Sequence, residues 1–112
     1  LEGFKMIYHE GMSLAECVMY IQEKLPQSVI LMQLAEECAE TAKAALKLAR
    51  IYQGVNPTPI TADDAMAALI EELADITVCV GCIGGIDFDA VENVQDSKIE
   101  RWAKRLAKGC EK

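Results

Sequence analysis

The 112 residues predict an all-α fold: a single four-helix bundle-like domain, completed by oligomerisation. Three observations predict it. Hydrophobic residues make up 52% of the chain but aromatics only 5%, so Ala, Leu, Ile, Val and Met fill the apolar share, a mixture that suits packed helices. Apolar residues recur three and four apart in four separate segments. Cap and turn residues divide those segments, and no strand alternation, internal repeat or low-complexity tract interrupts them.

Residues 1–12 have no clean period and read as an N-terminal arm, leaving 13–112 as the domain. "SLAE" is a capping box, with Ser13 as N-cap and Glu16 at the third helical position. The first helix follows to about Lys24, with Leu14, Cys17, Val18 and Ile21 on one face. Pro26 ends it or opens the next. The second helix runs to about Tyr52, with Leu31, Leu34, Cys38, Ala42, Ala45 and Ala49 as its apolar stripe. Gly54 closes it, and "GVNPTP" is turn-rich. Thr61 caps the third helix, with Asp63 and Asp64 in the first turn where the helix dipole favours negative charge. That helix stops near Gly84–Gly85. Asp87 starts the fourth, which reaches about Lys108 and is basic at its far end.

The net charge of −7 disfavours nucleic acid, and no Arg/Lys run of the kind that grips phosphate backbones is present. Ile76 to Ile86 is the most apolar stretch and is too short to span a bilayer, and no signal-peptide pattern is visible. Cysteines 17, 38, 79, 82 and 110 are odd in number and mostly lie in apolar helical patterns, which predicts a reducing, cytoplasmic setting without a disulfide framework.

The carboxylates carry the functional signal. Glu36, Glu37 and Glu40 centre nearly opposite the apolar stripe of the second helix, as a solvated face would. The third helix is different. From Ala65 to Ile86 its only charges are Glu71, Glu72 and Asp75, and the rest is apolar, small or Thr77. A helix apolar all round is expected to be buried. Glu72 shares an angular sector with Ala65, Leu69, Ile76, Cys79 and Ile83, and Asp75 lies one turn away. Two ionised carboxylates side by side on a buried helix are costly, and that stretch holds no Lys or Arg to offset them. Compensation must come from another element or a cation. EExxE on the second helix facing EExxD on the third would make an all-oxygen site suited to Mg²⁺ or Mn²⁺. Di-iron bundles need Glu-x-x-His pairs, and this chain has one histidine, His9, in the arm.

Paired this way, Glu36-Glu37-Cys38-Ala39-Glu40 and Glu72-Leu73-Ala74-Asp75 resemble the motifs of the MazG-like nucleoside triphosphate pyrophosphohydrolases, in the all-α NTP pyrophosphatase superfamily. "SKIERWAKRL", Ser97 to Leu106, is similar to the basic segment that follows those motifs, so the likeness covers about Leu31 to Leu106. The spacer between the motifs is longer than usual for such domains, and Trp102 stands where some members carry arginine. The resemblance implies Glu37, Glu40, Glu72 and Asp75 as magnesium ligands. It implies Glu36 as a further ligand or as the group orienting the attacking water, and Lys98, Arg101 and Arg105 as phosphate-binding residues. The implied reaction hydrolyses an NTP or dNTP to the monophosphate and pyrophosphate, in a homodimer or homotetramer. A phosphoribosyl-ATP pyrophosphatase is an alternative within the enzyme class, and a non-catalytic helical interaction or regulatory module is one outside it.

Other features read as structural. Cys79-Val80-Gly81-Cys82 is a CxxC in mid-helix, best suited to packing. Lys43, Lys47 and Arg50 form a solvated stripe, and Trp102 suits a core or an interface. Gln22 and Gln33 are within the range of residues able to touch a base.

Overall fold

The computed structural model describes residues 5–110, which form four α-helices and, among the described residues, no strand. The helices are α1 (Leu14–Lys24), α2 (Gln27–Gln53), α3 (Ala62–Cys82) and α4 (Phe88–Cys110). Residues 1–4 of the expected N-terminal arm lie outside the described residues.

The caps are the ones the sequence announces. Ser13 Oγ accepts from Glu16 N at 3.1 Å, and Glu16 Oε1 accepts from Ser13 N at 3.0 Å. The Ser13 backbone N–H on its carboxylate, with the Ser13 hydroxyl beside it, holds the Glu16 carboxyl below its ordinary pKa. Thr61 Oγ1 accepts from Asp64 N, and Asp87 Oδ1 accepts from Ala90 N, so α3 and α4 each begin on a side-chain cap. Gly54 ends α2 at φ 68°, the left-handed conformation in which glycine has no Cβ penalty.

α2 and α3 form an antiparallel pair, and α1 lies against α3. The core gathers where all three meet: Ile30 and Cys82 with Ile83, backed by Val18, Ile21, Leu34 and Ile86. Ala65 and Leu48 are buried toward the other end of the pair. Side-chain amides tie down the exit of α3. Gln22 Nε2 donates to Cys82 O at 3.2 Å, and Gln27 both donates to Gly84 O at 3.1 Å and accepts from Gly84 N at 2.9 Å. These bonds satisfy backbone groups that the end of a helix leaves unpaired. α3 therefore stops at Cys82, slightly before the glycine pair.

Two expectations are corrected. α3 is not buried all round within one chain: Ala65, Cys79 and Cys82 are buried, but Ile70, Leu73 and Val78 are exposed. Three helices cannot cover a helix with so much apolar perimeter. The four helices also do not close into a bundle, because α4 makes no substantial packing contact with the others. The molecule is accordingly elongated, 65 × 37 × 25 Å with a radius of gyration of 19.3 Å. A compact chain of this length has a radius of roughly 13 Å.

Two glycines near the α3 exit have opposite requirements. Gly81 lies within the helix, and a Cβ there meets nothing within 4 Å. Gly85 sits at φ +84°, where an L side chain is strained. Gly81→Ala is expected to raise unfolding free energy by roughly 0.5–1 kcal/mol, and Gly85→Ala to lower it by about 1–2 kcal/mol. Urea unfolding of both variants checks the signs.

Candidate carboxylate site

α2 does not pack through the stripe read from its sequence. The side chains turned to α3 run along Ile30, Leu34, Glu37, Thr41, Ala44 and Leu48, all buried or half-buried. The expected stripe lies about a quarter-turn away at 100° per residue. Apart from Leu34, its members Leu31, Cys38, Ala42, Ala45 and Ala49 are exposed. This rotation decides the site, because it carries Glu37 off the polar side and into the α2–α3 seam.

There Glu37 meets the carboxylates of α3. One oxygen from each of Glu37, Glu72 and Asp75 lies within 4.8 Å of the other two. Glu37 and Glu72 are half-buried and Asp75 is exposed, so the cluster opens to solvent on the Asp75 side. Glu37 is held from both ends. Gln33 Nε2 donates to its Oε1 at 2.8 Å, and Thr41 Oγ1 donates to its backbone oxygen at 2.7 Å. Gln33, able by its chemistry to touch a base, here orients a carboxylate one turn ahead.

The electrostatics follow from this crowding. Partial burial raises the pKa of Glu72, and the charges of Asp75, Glu37 and Glu40, with a hydrogen bond to Glu37, raise it further. Beneath the cluster, burial pushes the Cys79 thiol up, and Glu37 is the strongest of the charges adding to that. Cys79 is thereby kept protonated, the opposite of what a nucleophilic or metal-binding cysteine needs. Cys17, Cys38, Cys79 and Cys82 are all free thiols.

The remaining candidates are placed as follows. Glu40 is outside the three-carboxylate group, and its carboxylate pairs with Lys43 Nζ at 3.7 Å. It nonetheless lines a cleft of about 180 Å³ together with Glu72, Lys43, Lys47 and Ala65. Glu36 and Glu71 are exposed and outside the group. Lys98, Arg101 and Arg105 lie on α4, and no ion pair joins them to the carboxylates among the described residues. The cations that share the cleft are Lys43 and Lys47, which the sequence suggested as a solvated stripe. A helical wheel would have flagged them, since Lys43 and Lys47 stand three and seven residues beyond Glu40.

The donor set is all oxygen, with two half-buried carboxylates and, among the described residues, no side-chain cation paired to them. Such a set fits a hard divalent cation, Mg²⁺ or Mn²⁺, and offers no nitrogen or sulfur to a softer metal. Glu37, Glu72 and Asp75 are the residues that could hold one. Comparison with protein-family models, curated proteins and solved structures finds no match for this chain.

The raised pKa of Glu72 has a definite sign in stability. The folded state binds the Glu72 proton more tightly than the unfolded chain, so ionising Glu72 costs folding free energy. That cost is absent below the ordinary carboxylate range and fully present once pH exceeds the raised value. Glu72→Gln is therefore expected to raise the thermal midpoint at pH 7, with the gain disappearing as pH falls through the carboxylate range. Thermal melts of both proteins from pH 3.5 to pH 7.5, with chelator present, measure it.

Proposed function

We propose that the chain is a nucleoside triphosphate pyrophosphohydrolase, dependent on Mg²⁺ with Mn²⁺ as a substitute, that converts an NTP or dNTP to the monophosphate and pyrophosphate. The observation that supports it is the convergence of Glu37, Glu72 and Asp75 in the α2–α3 seam, with no cation paired to them among the described residues. Those residues belong to the two motifs that resemble the MazG-like pattern, and they would hold the ion.

A bound divalent ion supplies charge neutralisation for the phosphates and lowers the pKa of water. The chain's own residues do the rest. Gln33 fixes one Glu37 oxygen at 2.8 Å and so orients the carboxylate in the seam. Glu72, whose pKa burial and its acidic neighbours raise, is favoured in its ionised form when positive charge arrives. Glu40 and Glu36, outside the triad, are the carboxylates left to orient water or take its proton. Lys43 and Lys47 at the cleft can meet phosphate oxygens within the same chain, and Lys98, Arg101 and Arg105 supply further phosphate-binding charge from α4.

A small-molecule nucleotide as partner, a cytoplasmic setting and assembly into homodimers or homotetramers belong to the same proposal. No helix among the described residues is long and apolar enough to cross a membrane. A helical interaction module is the second reading, and the uncovered apolar face of α4 is what favours it.

Pyrophosphate release, screened across NTPs and dNTPs, is expected only with Mg²⁺ or Mn²⁺. Glu72→Ala should lower turnover roughly 100-fold or more, as loss of one electrostatic stabiliser does elsewhere. Mg²⁺ should also raise the thermal midpoint of the wild type at pH 7, the added stability reaching about 2.7 kcal/mol at a hundred times its dissociation constant. An absence of turnover together with an unmoved midpoint would favour the interaction module.

A further inference from the structure

The α2–α3 seam changes character across the carboxylates. Toward the start of α2 and the end of α3 it holds a cavity of about 140 Å³ lined by Leu25, Val29, Ile30, Val78 and Cys79, with Gln33 as its amide and no charged residue. Toward the end of α2 and the start of α3 lies the cleft of about 180 Å³, where Lys43 and Lys47 share the lining with Ala44, Ala65 and Ala68. The three alanines leave room that larger side chains would fill, and Ile60, just before α3, completes the wall. A polyphosphate anchored through a divalent ion at Glu37, Glu72 and Asp75 has two directions along this seam. The apolar cavity offers its charge no partner, and burying unpaired charge is costly. The other direction leads to two ammonium groups.

The spacing of those ammonium groups sets what they can reach. Lys43 and Lys47 stand one turn apart on one surface of α2, about 6 Å along its axis. From Glu37 the axial rise is about 9 Å to Lys43 and about 15 Å to Lys47. Helical side chains tilt toward the N-terminus, so both lysines lean back toward the carboxylates. Like charges so placed repel, and an anion between them removes the repulsion. The two are not equivalent. Lys43 Nζ lies 3.7 Å from a Glu40 oxygen, whereas no carboxylate is within ion-pair distance of Lys47 among the described residues. Lys47 is thus the uncommitted charge, and it stands farthest from the ion site.

We propose that Lys47 is a specificity-determining residue that selects triphosphates over diphosphates: its ammonium takes the terminal phosphate, which a diphosphate lacks. The proposal rests on the pyrophosphohydrolase reading for its reaction. There a water oxygen bonds to the α-phosphorus, the α–β bridge breaks with its oxygen leaving on pyrophosphate, and the water proton passes to a carboxylate of the site. The terminal phosphate takes no part in that exchange, so Lys47 acts through binding, and its loss is read in KM and not in kcat. Lys47→Met raises the KM for a nucleoside triphosphate about tenfold or more, as loss of a hydrogen bond to a charged group does. The KM for the matching diphosphate stays unchanged. Lys47→Arg keeps the preference, and Lys104→Met, the same change of charge on α4, leaves both KM values alone. Lys47 is exposed, so its replacement leaves the packed seam intact. Calorimetry with inorganic tripolyphosphate and Mg²⁺ reads the same contact without turnover, and Lys47→Met weakens that binding where Lys104→Met does not. An equal effect of Lys47→Met on triphosphate and diphosphate, an equal effect from Lys104→Met, or unmoved tripolyphosphate binding overturns the proposal and leaves the pyrophosphohydrolase standing. A wild type that releases no pyrophosphate, yet loses tripolyphosphate binding on Lys47→Met, overturns the reaction and keeps the phosphate contact. Absence of both turnover and tripolyphosphate binding overturns both.

Discussion

Everything at the candidate site depends on the repulsion among three carboxylates that the fold forces together. α3 has to bury the line Ala65, Leu69, Ile76, Cys79 and Ile83 against α2, and Glu72 is part of that sector. It cannot turn to water without withdrawing Ala65 and Cys79 as well. The seam that shields Ala65 to 1% exposure also draws Glu72 toward Glu37. The direction of the Glu72 pKa records the cost, with partial burial as its largest cause and like charge after it. A protein without use for that arrangement could relieve it by one substitution to glutamine. Keeping it makes sense where a cation completes the charge balance.

α2 resolves the conflict by having two apolar faces rather than one. The line Ile30, Leu34, Glu37, Thr41, Ala44 and Leu48 meets α3, and the line Leu31, Cys38, Ala42, Ala45 and Ala49 remains open. The first is the less hydrophobic of the two, containing a glutamate and a threonine. It can be the packed face because Gln33 and Thr41 satisfy part of Glu37 locally, by hydrogen bonds of 2.8 and 2.7 Å. A buried polar group so supported costs far less than a bare one.

Much of this was legible in the chain. The capping box at Ser13, the Thr61 and Asp87 caps and the Gly54 stop are local chemistry, settled within four residues, and all four fix helix ends. The pairing of Glu37 with Glu72 and Asp75 was legible because α3 offers no cation of its own. The rotation of α2 was not, because hydrophobicity ranks the two faces and the ranking favours the wrong one. Which face meets α3 is decided by where Ile30 and Leu48 can reach Cys82 and Ala65, a property of the pair and not of either helix. The Gln22 and Gln27 caps on the α3 exit span 57 to 60 residues, beyond any local pattern. The isolation of α4 was invisible for the opposite reason. Its amphipathic period predicts a partner, and sequence periodicity cannot say whether that partner belongs to the same chain.

The two sides of the α2–α3 pair therefore have different chemistry and can be used independently. One carries Asp75, Glu72, Glu40, Lys43 and Lys47 around a small cleft and stays accessible to a solute. The other carries no charge, so covering it removes apolar area from water without desolvating any ion. Had the carboxylates shared a face with Leu31 and Met66, covering that face would have sealed unpaired charges under protein, which is costly. Rotating α2 by a quarter-turn avoids this. It places the charge in the seam's open edge, keeps the uncharged side apart from it, and leaves the carboxylates exchangeable with solvent.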